Sequence, residues 1–194
     1  MALTTLPPGE IGAIVTYLEM TERPRPKPLP ASPFRLERWG EIDATKYRLL
    51  FERIGAPWLW YSRLAMSDAH LLEAVGELYV VADRRGIEVG MIELDFREAG
   101  GCLISFLGLV PELTGQGHGD WLFAQTLALA WRPPVHRVHV HTCTLDHPAA
   151  LPAYIKAGFI PYKRAVETFP DPRIIGILKR DAAPRTPLLE LPGG

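Results

Sequence analysis

Residues 109–119 read Leu-Val-Pro-Glu-Leu-Thr-Gly-Gln-Gly-His-Gly. The run before them, Cys102–Val110 (CLISFLGLV), is apolar at successive positions, as in a strand covered on both faces. The run after them, Trp121–Ala130, is an apolar stretch of helical length stopped by Pro133-Pro134. Gly115, Gly117 and Gly119 leave the backbone free to curl and a ligand free to approach. A helix starting there turns its unpaired amides and its positive dipole end toward the same spot. That geometry suits a pyrophosphate or similar anion, and a plain tight turn fits the same residues equally well. Two phosphate loops are excluded: no Lys-Ser/Thr pair follows the glycines, and position 120 is Asp, which breaks G-x-G-x-x-G spacing.

Upstream of this turn the pattern is one of hairpins. Leu78–Ala82 ends at Asp83-Arg84-Arg85-Gly86, Glu88–Phe96 ends at Gly100-Gly101, and Cys102–Val110 ends at Pro111. Before them, Phe34–Trp39 reads as a short strand. Asp43 caps a helix with Tyr47, Leu50, Phe51 and Ile54 at helical spacing and Gly55 as its stop. Ser67 and Asp68 open a shorter helix through Val75. Downstream, Val135–Thr144 reads as a strand, Asp146–Ala157 as a helix with prolines in its first turns, and Phe159–Tyr162 and Arg173–Leu178 as the last strands. The class is mixed α/β, with too many hairpins for a doubly wound parallel sheet.

At the N-terminus, Ala13–Met20 (AIVTYLEM) reads as a strand expected to add to a sheet edge, since a lone strand cannot stand by itself. It is set apart by the proline-dense run Glu22–Pro33 (ERPRPKPLPASP), expected to be extended polyproline II. Residues 181–194, with Pro184, Pro187, Pro192, Gly193 and Gly194, read as a loose tail.

The 194 residues are 47% hydrophobic and 22% charged with a formal net charge of −1, the balance of a globular protein with a real core. No basic excess points to nucleic acid. No apolar run approaches the roughly 20 residues of a membrane span. The first residues carry neither a basic start nor an apolar core of a secretory signal. Two cysteines, Cys102 and Cys143, are too few for a disulfide scaffold, and the expectation is a cytoplasmic protein.

The glycine turn resembles that of the GNAT superfamily of acyl-CoA-dependent N-acyltransferases, whose motif runs apolar-x-Val-x-Pro-x-x-Arg/Gln-Gly-x-Gly-x-Gly/Ala. Leu109 takes the Val place, and Pro111, Gly115, Gly117 and Gly119 fall in register; Thr114 replaces the usual Arg or Gln. A second match follows about thirty residues on. His147, Ala150, Tyr154, Gly158 and Phe159 sit at the offsets of Asn-x-x-Ala-x-x-x-Tyr-x-x-x-Gly-Phe, with His for Asn. The resemblance covers residues 34–180, leaving 1–33 as an N-terminal extension. It implies a mostly antiparallel twisted sheet, flanked by helices, whose fourth and fifth strands splay apart around the donor.

The resemblance further implies that acetyl-CoA or another acyl-CoA is the co-substrate. Leu109 and Val110 would offer backbone groups to its pantetheine arm. Thr114, the amides of Gly115, Gln116, Gly117, His118 and Gly119, and Asp120 would surround its pyrophosphate, with His147 grouped beside them. Tyr154 would protonate the leaving thiolate. Trp58, Trp60 and Tyr61, in PWLWYSRL, would wall the acceptor site; three rings in four positions cannot all face one core. The acceptor expected is a small amine, an amino acid or an aromatic amine among the options, and the edge strands offer a route to a homodimer.

Some residues stand outside the motifs. Glu93 and Asp95 share one face of Glu88–Phe96 and are candidates for the general base, although a solvated polar face accounts for them more simply. His139, His141 and Cys143 alternate on one strand and could ligate zinc, but a carboxylate ligand is not evident, and the expectation is no metal. A strand cysteine reads as a small buried hydrophobe rather than an acyl-accepting nucleophile, which favours direct transfer in a ternary complex. The readings held against this one are a non-catalytic acyl-CoA-binding module and a metal site on His139 and His141.

Overall fold

The computed structural model describes residues 3–25 and 28–189. In chain order its elements are β1 (Glu10–Met20), β2 (Arg35–Trp39), α1 (Ala44–Gly55), α2 (Asp68–Ala74), β3 (Glu77–Ala82), β4 (Glu88–Asp95), β5 (Gly101–Leu109), α3 (Gly119–Ala130), β6 (Arg137–Cys143), α4 (Ala150–Ala157) and β7 (Ile160–Pro170). Pro26 and Lys27 of the proline-dense run, and Pro192, Gly193 and Gly194 at the C-terminus, lie outside the described residues.

The strands form one sheet in the order β2-β3-β4-β5-β6-β1-β7, antiparallel at every pairing except β5 with β6. The first two helices begin where their capping residues stand. The Asp43 carboxylate accepts hydrogen bonds from the amides of Thr45 and Lys46, and the Ser67 hydroxyl accepts one from His70. The expected stripe Tyr47, Leu50, Phe51 and Ile54 is buried against the sheet together with Leu78, Met91, Ile92 and Ile104. No helix among the described residues is long and apolar enough to cross a membrane.

The N-terminal strand does not add to a sheet edge. It lies inside the sheet, pairing with β6 over Val15–Met20 and with β7 over Glu10–Glu19, and it buries Ala13, Val15, Leu18 and Met20. Five sheet positions separate β1 from β2, about 24 Å at the usual strand spacing. The residues between Met20 and Arg35 reach about 43 Å when extended as polyproline II, enough to cross the sheet without crowding it.

Three further elements differ from expectation. The last strand runs on to Pro170 rather than ending at Tyr162, because β1 offers it a partner along its whole length. Residues 173–178 are not a strand. Asp171 and Arg173 form a buried ion pair, and the carbonyls of Asp171 and Pro172 accept from the amides of Ile174, Ile175, Ile177 and Leu178, curling the chain into turns. The start of the C-terminal segment is pinned: the Arg173 guanidinium donates to the carbonyls of Ala182 and Thr186, and Ala183 is buried.

Candidate active site

The site originates in a break in the sheet. Glu93 pairs with Phe106 and Leu94 with Ile104, so Ser105 is an extra residue, a β-bulge in β5. A bulge bends and further twists its strand. Immediately beyond it the parallel ladder between β5 and β6, which joins Gly101–Ile104 to Arg137–Val140, comes to an end. The two strands then diverge. The space between them is a cavity of about 430 Å³ lined by Ile104–Leu109 of β5, Val140–Cys143 of β6, residues 113–115 and 119 of the glycine turn, and Tyr154 of α4.

The glycine turn forms part of the lining. Gly115 and Gly117 have φ of 79° and 84°, a region that costs an L-residue about 1–2 kcal/mol. A Cβ placed on Gly115, Gly117 or Gly119 would meet no atom of the protein within 4 Å. The turn therefore keeps its glycines for backbone conformation and for an open approach, not for internal packing. His118 precedes α3 without a side-chain cap on the helix, leaving the first-turn amides to an outside acceptor. Its ring instead sits edge-on to Phe34 at 4.8 Å. The Gln116 side chain donates to the Glu112 carbonyl and braces the turn. Lys156 of α4 approaches Asp120, in the first turn of α3, at 3.3 Å.

The segment after α1 supplies another wall. Leu59 adopts φ 56°, which turns the chain so that Trp58, Trp60 and Tyr61 all line the cavity. The Trp60 side chain occupies the space a Cβ on Gly55 would need, its own Cβ at 2.3 Å and its ring at 2.6 Å. Its indole N–H donates to Asp146 at 3.1 Å, while the other Asp146 oxygen accepts from the Thr142 hydroxyl at 2.7 Å and the Cys143 amide at 2.8 Å. Trp58 meets His147 edge-on at 5.0 Å. Asp146 and His147 thus fasten the aromatic wall to the end of β6. They lie in a turn ahead of α4 rather than inside the helix as expected, because Asp146 bonds back to β6 and His147 Nδ1 accepts from the Ala149 amide at 3.0 Å. A smaller cavity of about 340 Å³ adjoins this turn and is also lined by Ile14, Thr16, Arg185 and Thr186.

No family model matches the chain, and no curated protein sequence matches it. Solved structures do. The GCN5-related N-acetyltransferase from Sphaerobacter thermophilus superposes with a TM-score of 0.57 at 19% identity, over 84% of this chain and 52% of that one. The tandem GNAT protein from the clavulanic acid biosynthesis pathway gives 0.52 at 20% identity, over 81% and 53%. The IAA acetyltransferase from Bacillus cereus gives 0.51 at 19%, over 67% and 79%. The chain has a GNAT fold. It spans about half the length of the first two of these proteins.

Within the GNAT fold, the two sequence motifs meet at one cavity. Leu109, Thr114, Gly115, Gly119, His147 and Tyr154 all line it, whereas Val110 is buried with the core and its amide is tied to the Val89 carbonyl. Tyr154 is 7% exposed, its ring edge-on to Phe123 at 5.1 Å and to Phe159 at 5.7 Å. Burial, and secondarily the Asp146 charge, push its phenol well above the ordinary tyrosine range. The hydroxyl is therefore held protonated at neutral pH.

The two base candidates are not on a solvated face. β4 is central in the sheet and covered on both sides, so its alternation leaves no wet face. Glu93 is fully buried, accepting from the Tyr47 hydroxyl at 2.5 Å and the Arg63 guanidinium at 2.6 Å. Asp95 is held by Arg97, whose guanidinium keeps its carboxyl below the usual range. Neither lines the cavity. Two residues that do, Glu167 and Phe169, lie on the part of β7 beyond Tyr162, where the sequence predicts no strand. The period-two run Ala165, Glu167, Phe169 was their only signal.

The histidine strand spreads its side chains among different partners. His139 lies 3.2 Å from Glu98, His141 packs on the Tyr17 ring at 5.7 Å, and no cluster of three or more candidate ligands is found among the described residues. Burial pushes the Cys143 thiol up to about 11 and the Cys102 thiol up to about 12, away from the thiolate form.

Proposed function

We propose that this chain transfers an acetyl or other acyl group from acyl-CoA to the nitrogen of a primary amine, directly and within a ternary complex. One observation carries the reading. The cavity beside the β5 bulge is lined together by a glycine turn at the uncapped N-terminus of α3, a buried phenol and an aromatic wall. Acyl-CoA would bring an activated thioester. The open Cβ positions at Gly115, Gly117 and Gly119 and the uncapped amides of α3 suit its pyrophosphate. The unpaired edge of β5 from Ser105 to Leu109 faces the cavity where an amide-bearing arm would lie. As the amine nitrogen bonds to the thioester carbonyl carbon and the C–S bond breaks, Tyr154 gives its proton to the departing sulfur and is reprotonated by the proton the nitrogen releases, so that amine and acyl-CoA become amide and free CoA thiol. The raised thiols of Cys102 and Cys143 argue against a covalent acyl-enzyme.

The test is release of free CoA thiol from acetyl-CoA in the presence of a panel of primary amines. Amine-dependent release is expected. Binding of acetyl-CoA with no release for any amine would leave a binding module in place of an enzyme, and absence of both would overturn the reading.

A further inference from the structure

The aromatic wall is completed from a strand the two motifs do not reach. On β7, Glu167 stands opposite the buried Ala13 and Phe169 opposite Ile11, so both lie on the face of β7 turned to the cavity. Phe169 stacks on Tyr61 with ring centres 5.2 Å apart and planes at 28°. Glu167 is close enough for its charge, after burial, to raise the Tyr61 phenol. Trp58, held edge-on to His147, lines the same cavity. Among the described lining residues the ionisable groups are carboxylates, histidines, tyrosines and a thiol, with no lysine or arginine. Arg185 lines the adjoining cavity, not this one.

We infer that the amine acceptor is a cation on an apolar, ring-bearing body that carries no carboxylate, held by Glu167 and packed among Trp58, Tyr61 and Phe169. An ammonium group is attracted both to a carboxylate and to aromatic faces. A ligand carboxylate would meet the Glu167 and Asp146 charges with no lining arginine or lysine to receive it. This selects aromatic or arylalkyl amines over free amino acids. It rests on the acyl-transfer reading for the word acceptor, though not for the binding itself.

Trp58 and Trp60 line the cavity and report occupancy through their fluorescence. The experiment titrates the whole chain and its Glu167→Gln variant with 2-phenylethylamine and with phenylalanine, which differ by one carboxylate, and titrates acetyl-CoA in parallel. Expected is affinity for 2-phenylethylamine at least about tenfold above that for phenylalanine, lost by about tenfold in Glu167→Gln, with acetyl-CoA affinity unchanged. Equal or tighter binding of phenylalanine, or an unaltered Glu167→Gln variant, would overturn the inference. Acetyl-CoA binding without the amine preference removes this inference alone. Glu167-dependent amine binding without acetyl-CoA binding removes the acyl-transfer reading and keeps the amine site.

Discussion

Tyr154→Phe is expected to slow acyl transfer about 100-fold while leaving acetyl-CoA affinity and thermal stability unchanged. The substitution removes one oxygen and keeps the ring that packs edge-on against Phe123 and Phe159. If the phenol served only as part of the core, neither rate nor stability would move much. If it protonates the leaving sulfur, the chemical step loses its acid while binding is spared. The readout is kcat and KM for acetyl-CoA with a fixed amine, beside a melting curve. A drop in kcat at unchanged KM and melting temperature supports the assignment. A variant as fast as the native chain would return Tyr154 to a packing role.

The second large effect is on folding. Glu93→Ala is expected to destabilise the chain by about 3–5 kcal/mol, read from the midpoint of urea unfolding. Removing the carboxylate strands the Arg63 guanidinium, whose side chain is only 11% exposed, and leaves the buried Tyr47 hydroxyl without its acceptor. A smaller loss is expected for Glu93→Gln, which keeps the shape and an acceptor oxygen. Glu93 does not line the cavity, and the folded fraction of Glu93→Gln is expected to turn over at near the native rate. Loss of turnover in a folded Glu93→Gln protein would instead place the carboxylate in the reaction.

The sequence was most informative where backbone requirements and spacing coincide. The caps at Asp43 and Ser67, the glycines of the turn and the Gly158 stop each demand a particular conformation, and they stand where expected. Both motifs converge on one cavity because strand, turn and helix leave little freedom between them. What was not legible depended on distant pairing. Nothing local in Ala13–Met20 reveals that β6 and β7 part to admit it, and without that partner the length of β7 could not be read. The position of Glu167 was hidden for the same reason. Glu93 shows a different limit, since alternation marks which residues share a face but not whether a helix covers it.

Binding of acyl-CoA at the glycine turn is measured most directly by calorimetric titration of acetyl-CoA into the native chain and into Gly117→Val. Gly117 has φ 84° and empty space where a Cβ would go, so the added side chain disturbs the turn and its ligand more than the rest of the fold. The prediction is one site per chain in the native protein, and affinity at least about tenfold weaker in Gly117→Val at a similar melting temperature. No acetyl-CoA binding to the native chain, or equal binding to both, would contradict it.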